Sequence, residues 1–194
     1  AALSHDKRKK IRQERRKVGE AGIRFRRLRG EQIGPEDWLF FSRCYKATYR
    51  AHHSTPYLNR AFFERLGRSM PEYIMLVVAE RDGKPLAGAL NIHTDSVLYG
   101  RYWGALEYVP NLHFEACYYQ AIEFCIERGI GVFEGGAQGE HKLSRGFLPE
   151  QTVSAHWLRH PEFSRAVEQF LQREADGVER YLDELNERAP FKGS

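Results

Sequence analysis

The acidic Glu134 and a glycine-rich stretch, Gly135-Gly136-Ala137-Gln138-Gly139, lead into His141, Lys142 and Arg145. A lysine and an arginine placed after such a loop supply the positive charge that steadies an oxyanion or a phosphate. A nearby carboxylate or imidazole could take a proton, and Glu134, Glu115, His113 and His141 are the candidates, with Glu107 weaker. Histidine needs less shifting than a carboxylate to work near neutrality. Each residue also has a plainer role open to it. Lys142 suits a solvated loop, Arg145 an ion pair with Glu134 or Glu140, Glu115 the stabilisation of its own helix N-terminus, and His113 a polar cap region. Arg101, Tyr102 and Trp103 on one segment and Tyr118 and Tyr119 on another could hold a sugar, base or peptide, although rings at strand and helix spacing belong to a core more often. Tyr49, His52, His53, Thr55 and Tyr57 form a further polar, aromatic loop.

Several chemistries are excluded. The glycine-rich stretch lacks Gly-Lys-Ser/Thr and does not match Gly-x-Gly-x-x-Gly, so it is neither a P-loop nor a dinucleotide fingerprint. There is no Cys-x-x-Cys, and His156 and His160 straddle a strand end, which argues against zinc. No nucleophile elbow supports a serine or cysteine hydrolase. Cys117 and Cys125 lie eight positions apart on one predicted helix, about 12 Å, beyond disulfide reach. With Cys44 they read as reduced core thiols.

The elements that would position these groups follow from periodicity. A helix is predicted from about Ser4 to Glu20, with only Leu3, Ile11 and Val18 in an apolar line too thin to bury firmly, so it leans on something absent. Ile23, Phe25 and Leu28 alternate with arginines as a strand ending at Gly30. Pro35 opens a helix through Trp38, Leu39, Phe41, Cys44, Tyr45 and Tyr49, and another runs from about Asn59 to Ser69 with Phe62, Phe63 and Leu66 inward. A β-meander follows: Tyr73 to Glu80, a turn at Arg81-Asp82-Gly83-Lys84, Pro85 to His93, and Val97 to Ala105. Phe114, Cys117, Tyr118, Ala121, Ile122 and Cys125 fall at i, i+3, i+4, i+7, i+8 and i+11 of a helix over Leu112 to Arg128, capped by Asn111 and stopped by Gly129. Strands at Gly131 to Glu134 and Thr152 to Leu158 and a helix from Pro161 to about Arg188 complete the chain. The order implies an α+β or mixed α/β fold, one mostly antiparallel sheet with helices on both faces.

At 194 residues, 42% apolar and 29% charged, the chain can bury one sizeable core. No apolar run spans a bilayer and no signal peptide is visible, so a cytoplasmic location is expected. Residues 1–30 carry twelve Lys/Arg against three acids, +9 of a total of +4, which leaves −5 for the rest. Such a head could meet tRNA or another anionic polymer, or simply be solvated.

Arg101-Tyr102-Trp103-Gly104-Ala105, the helix 112–128, Val132-Phe133-Glu134-Gly135-Gly136 and His141-Lys142-Leu143-Ser144-Arg145-Gly146-Phe147 together resemble the FemAB-like branch of the GNAT acyltransferases, the group labelled peptidoglycan biosynthesis or recognition proteins. The resemblance implies a GNAT acyl-CoA N-acyltransferase-like fold and the transfer of an acyl or aminoacyl group onto the amine of a small molecule or peptide, in cell-wall precursor metabolism. It implies two GNAT-like halves, so residues 1–22 are expected to be the junction to an N-terminal half, or to brace a homodimer partner, and 23–194 the GNAT-like domain. The donor would lie where the strands at 101–105 and 131–136 part. Lys142 and Arg145 would stabilise charge, and Glu134, Glu115 or His141 would take the proton. Arg101, Tyr102, Trp103, His113, Tyr118, Tyr49 and His52 would contact substrate. Acetyl-CoA users of this fold bind pyrophosphate with a glycine-rich turn at the start of the central helix. Here that stretch reads Tyr108-Val109-Pro110-Asn111-Leu112-His113-Phe114-Glu115, which argues against acyl-CoA, and the resemblance implies aminoacyl-tRNA as the other donor. Ser144 stands where relatives often have a second lysine, a departure from the pattern of that mechanism. A GNAT-like module that only binds a cell-wall precursor or anionic polymer, and an RNA-binding protein using its basic head, are the alternatives.

Overall fold

A computed structural model of the chain describes residues 2–136 and 140–191. They divide into two units, residues 10–137 and residues 1–9 with 138–194.

The first unit is built on β2 (Ile74–Arg81), whose first six residues are all buried. Successive side chains of a strand point to opposite faces. Ile74, Leu76 and Val78 therefore meet one helix layer, and Met75 and Val77 meet another. The neighbours of β2 are β1 (Ile23–Arg29) and β3 (Lys84–His93), and the sheet runs β1-β2-β3-β4-β5. At the β2–β3 turn Asp82 and Gly83 both take positive φ, 51° and 73°, the pair of left-handed residues a tight two-residue hairpin requires. β4 (Val97–Ala105) pairs antiparallel with β3, and β5 (Val132–Glu134) pairs parallel with β4.

One face carries α2 (Pro35–Ala51) and α3 (Arg60–Ser69), which bury Trp38, Phe41, Cys44, Tyr45 and Phe63. Pro35 starts α2, and the Asp37 carboxylate accepts from the Gly34 N–H at 3.0 Å. Asn59 caps α3 by accepting from the Phe62 N–H at 2.9 Å. Phe62 itself points outward, 41% exposed, because Phe63 alone faces the Trp38 and Phe41 rings. The other face carries a central helix in three parts: α4 (Leu112–Phe114), one π-helical turn (Glu115–Tyr119) and α5 (Gln120–Arg128). Asn111 holds the N-cap position with a left-handed backbone, φ 64°, and its side chain makes no capping bond. Gly129, φ 70°, ends the helix as expected.

α1 (His5–Glu20) crosses from one unit to the other. Within the first unit Val18, 1% exposed, packs with Ile23, Ala79, Leu86, Val109 and Leu112. The helix that looked too thinly apolar to bury is anchored by polar groups that apolar periodicity cannot reveal: Glu14 and Glu115 are both buried where it docks.

The second unit contains a short 3-10 helix (Glu140–Arg145), α6 (Pro161–Glu187) and a bridge between Leu3 and Phe191. The strand expected at Thr152 to Leu158 is absent: these residues have no strand geometry and are exposed throughout. Alternation marks a strand only where a sheet edge accepts its hydrogen bonds, and among the described residues none pairs with it. Among the described residues no helix is long and apolar enough to cross a membrane.

Two outcomes follow from this packing. A Cβ added to Gly104 would lie 2.0 Å from the Cys44 carbonyl oxygen, whereas one at Gly131 would meet nothing within 4 Å. In denaturant titrations Gly104→Ala is expected to lose about 3 kcal/mol or fail to fold, and Gly131→Ala to stay within about 1 kcal/mol of the parent. His93 is 5% exposed against the Phe124 ring, and burial, helped by Arg128 and Arg29, lowers its pKa despite the Thr94 carbonyl. The unfolded chain then binds the proton more readily than the folded one, so stability is full above the ordinary histidine value of about 6.5 and declines as the pH falls below it. Melting temperatures between pH 8 and 5 should show that decline, and His93→Gln should reduce it.

Candidate active site

The β4–β5 ladder is short. Its register partners are Val97 with Val132, Leu98 with Phe133 and Tyr99 with Glu134. Beyond them, among the described residues, Tyr102 to Ala105 pair only with β3. The β3–β4 register slips at this point: Asn91 pairs with Gly100 and Leu90 with Tyr102, which leaves Arg101 as the extra residue of a β-bulge. A bulge bends its strand and re-aims side chains, and such features gather beside active sites. The two strands therefore part where the donor slot was expected.

The bulge sorts three site candidates. Arg101 is exposed, with its guanidinium carbon 4.8 Å from the centroid of the Tyr99 ring. Tyr102 faces the α2–α3 layer, where it joins Tyr45, Tyr49 and Tyr57. The hydroxyls of Tyr57 and Tyr102 are 2.8 Å apart, and the Tyr49 ring lies 4.7 Å from that of Tyr45 and 5.9 Å from that of Tyr57. The bond to Tyr45 and then burial raise the pKa of Tyr49; burial and then the bond to Tyr57 raise that of Tyr102. Both phenols stay neutral donors. Tyr57 is 68% exposed, so the cluster presents a ring and a chain of hydroxyls to solvent. His52 ends α2 and is exposed, outside these ring contacts.

Trp103 faces the central helix, 5.4 Å from the His113 ring, and His113 in turn lies 5.5 Å from Tyr118. The Trp103 carbonyl accepts from Thr48 Oγ1 at 2.8 Å, so α2 braces the strand beside the opening. Tyr118 is buried, as its helical spacing allowed.

At the π turn, Glu115 is 4% exposed and its carboxylate is held by two side chains. Arg15 donates from Nη2 to Oε1 at 2.9 Å and from Nε to Oε2 at 3.1 Å, and Gln120 donates to Oε1 at 2.9 Å. A third Arg15 nitrogen reaches Glu123 at 2.6 Å. Burial works against the Arg15 charge, but hydrogen bonds to Glu123 and Glu115 outweigh it and raise its pKa. Beside this pair the Tyr119 hydroxyl donates to Glu14. Of the basic head, Arg26 pairs with Glu80 and Asp37, Arg27 with Glu127 and Arg16 with Glu20, so part of its charge is paired within the fold.

His141, Lys142 and Arg145 lie together on the 3-10 helix of the second unit. Arg145 is 6% exposed and donates to the His141 carbonyl at 2.7 Å and to Ser144 Oγ at 3.2 Å. Burial, then the charges of Arg145 and Lys142, lower the pKa of His141 and favour the neutral imidazole. Glu134 ends β5 and is exposed. Ala137, Gln138 and Gly139 of the glycine-rich stretch lie outside the described residues. Arg15, Glu14, Gln120 and Glu123 went unnoticed in the sequence, since the partners stand about a hundred positions apart and only the fold brings them together.

An antiparallel meander, a central helix and a parallel strand that leaves its neighbour partway define the GNAT fold. Solved structures agree. An aminoglycoside acetyltransferase from an uncultured soil metagenomic sample, crystallised with trehalose, superposes with a TM-score of 0.54 at 11% identity, over 73% of this chain and 99% of that one. A GCN5-related N-acetyltransferase from Ralstonia eutropha JMP134 gives 0.51 at 19% identity, over 70% and 99%. No curated protein matches in sequence. The profile of the FemAB-like family, described as peptidoglycan biosynthesis/recognition, matches residues 1–193, and the chain belongs to that family.

Removing Arg15 would leave the buried Glu115 carboxylate with Gln120 as its side-chain donor, whereas Arg15 without Glu115 keeps Glu123 and some solvent. Arg15→Met is expected to cost about 3 kcal/mol in denaturant titrations, and the double change Arg15→Met with Glu115→Leu less than the single one.

Proposed function

We propose that this domain transfers an acyl group to an amine at the opening between β4 and β5. The observation that carries the reading is the end of the ladder at Tyr99 and Glu134, together with the bulge at Arg101. An extended donor laid along the freed stretch of β4 would be oriented by backbone groups, which replaces a bimolecular encounter by a held geometry. The tyrosine cluster at the same strand admits the acceptor: Tyr57 offers a ring face, and the Tyr49 and Tyr102 hydroxyls offer neutral donors. The family resemblance gives Lys142 and Arg145 the stabilisation of the oxyanion and leaves Glu134, Glu115 and His141 as the bases. Of these, Glu115 already serves Arg15 and Gln120, so it positions the helix.

The start of the central helix supports a donor other than acyl-CoA. Two of its first N–H groups are spent inside the chain, Leu112 to Val109 and Glu115 to Asn111, Pro110 has none, and a buried carboxylate follows. A phosphate would meet few free donors and one negative charge there. Aminoacyl-tRNA is the donor that remains from the family resemblance, and a peptidoglycan precursor amine is the acceptor the family's description favours.

The test is product formation, followed by mass spectrometry, over paired panels of aminoacyl-tRNA and acyl-CoA donors with amine-bearing wall precursors. Lys142→Ala should lower kcat by about 100-fold, and Tyr57→Phe should raise KM with kcat unchanged. Full activity in Lys142→Ala, or a preference for acyl-CoA, would refute the respective assignment.

A further inference from the structure

A concavity lies away from the β4–β5 opening. It has a volume of about 430 Å³, within the range of small-ligand sites, and is walled by α1, the start of β1 and the π turn. Ile23 pairs with Arg81, at the same end of the sheet as Ala105 of β4, but three strand spacings, about 14 Å, separate β1 from β4. The two sites are therefore neighbours at one end of the sheet without being one site.

Three features distinguish this hollow from a packing defect. The first is the π turn. Residues five apart sit about 140° apart around an α-helix, yet Glu115 and Gln120 hydrogen-bond each other at 2.9 Å because the wider turn brings them to one face. Turns of this kind concentrate at functional sites. The second is Gly19. It lines the hollow within α1, its φ is not positive, and a Cβ there would meet nothing within 4 Å. Neither backbone nor packing requires glycine at that position; its effect is to leave space. The third is unspent polar capacity. Glu115 Oε2 accepts a single bond, from Arg15, and the Gln120 side chain donates its amide while its carbonyl oxygen accepts none from the described residues. Arg12, which also lines the hollow, is exposed and forms no hydrogen bond or ion pair with another side chain among the described residues.

We infer that this hollow binds a free α-amino acid with an apolar side chain. The apolar wall of Val18, Ile23 and Phe25 takes the side chain, the Arg12 guanidinium takes the carboxylate, and Glu115 Oε2 with the Gln120 carbonyl takes the ammonium. Each ligand group meets a complementary one; Arg15, which also lines the hollow, carries the ammonium's own sign, and its charge is offset by its pairing with both Glu115 and Glu123. The proposal is independent of acyl transfer, and no transfer assay enters its test.

The test is thermal stabilisation of the full chain by L-leucine and L-phenylalanine, set against their N-acetyl derivatives, their amides and inorganic phosphate. A ligand that binds only the folded state raises the melting temperature by an amount that grows with the logarithm of its concentration once that exceeds Kd. The two free amino acids should give shifts that follow this dependence, and both blocked series should bind at least about tenfold more weakly, the loss expected for one charge-assisted contact. Arg12→Ala, a change at an exposed residue, should weaken binding by a similar factor, and Gly19→Leu should abolish it by filling the hollow. The inference is overturned if neither amino acid shifts the melting temperature, if the N-acetyl form binds as well as the free one, if phosphate alone reproduces the shift, or if Gly19→Leu binds like the parent.

Discussion

The acyl-transfer site proposed for the first unit depends on β5 pairing with β4 over only three residue pairs. A parallel strand that stayed in register would satisfy the whole edge of β4 and seal it. Three features work against that. β5 is only Val132–Glu134, the bulge at Arg101 bends β4 away, and α2 closes on the freed stretch through Thr48 and the bare Cα of Gly104. The strand is thus held from the α2 side and by β3, and among the described residues its ladder with β5 stops at Tyr99.

The central helix is shaped by a second constraint, the need to settle buried charge. Glu14, Arg15 and Glu115 sit where α1 crosses the π turn, and a single carboxylate there would be costly without its guanidinium. The pair makes α1 part of the first unit from Lys10 onward. It also explains how a helix of almost uniformly polar sequence packs at all: its contact is made by Val18 and by hydrogen-bonded charges in place of an apolar stripe.

Much of this was legible beforehand. The meander, the Asp82-Gly83 turn and the helix beginning at Leu112 follow from alternation, turn chemistry and 3.6-residue spacing, and the GNAT fold follows from their order with the Tyr102-Trp103-Gly104 and Glu134-Gly135-Gly136 passages. The misreadings have physical causes. Thr152 to Leu158 alternates but has no edge to join. The π turn leaves no trace in the apolar pattern, because Phe114, Cys117, Tyr118 and Ala121 fit an unbroken α-helix equally well. The hydroxyl chain of Tyr45, Tyr49, Tyr57 and Tyr102 and the Arg15–Glu115 pair join positions tens of residues apart, which local spacing does not encode.

Backbone amide hydrogen exchange along β4, read residue by residue with and without donor, addresses the parting of the strands most directly. The expected pattern is slow exchange at Val97 to Tyr99, fast exchange at those amides between Arg101 and Ala105 that face away from β3, and slowing of the latter when donor is added. Uniformly slow exchange along the whole strand, unchanged by donor, would contradict the opening and with it the site.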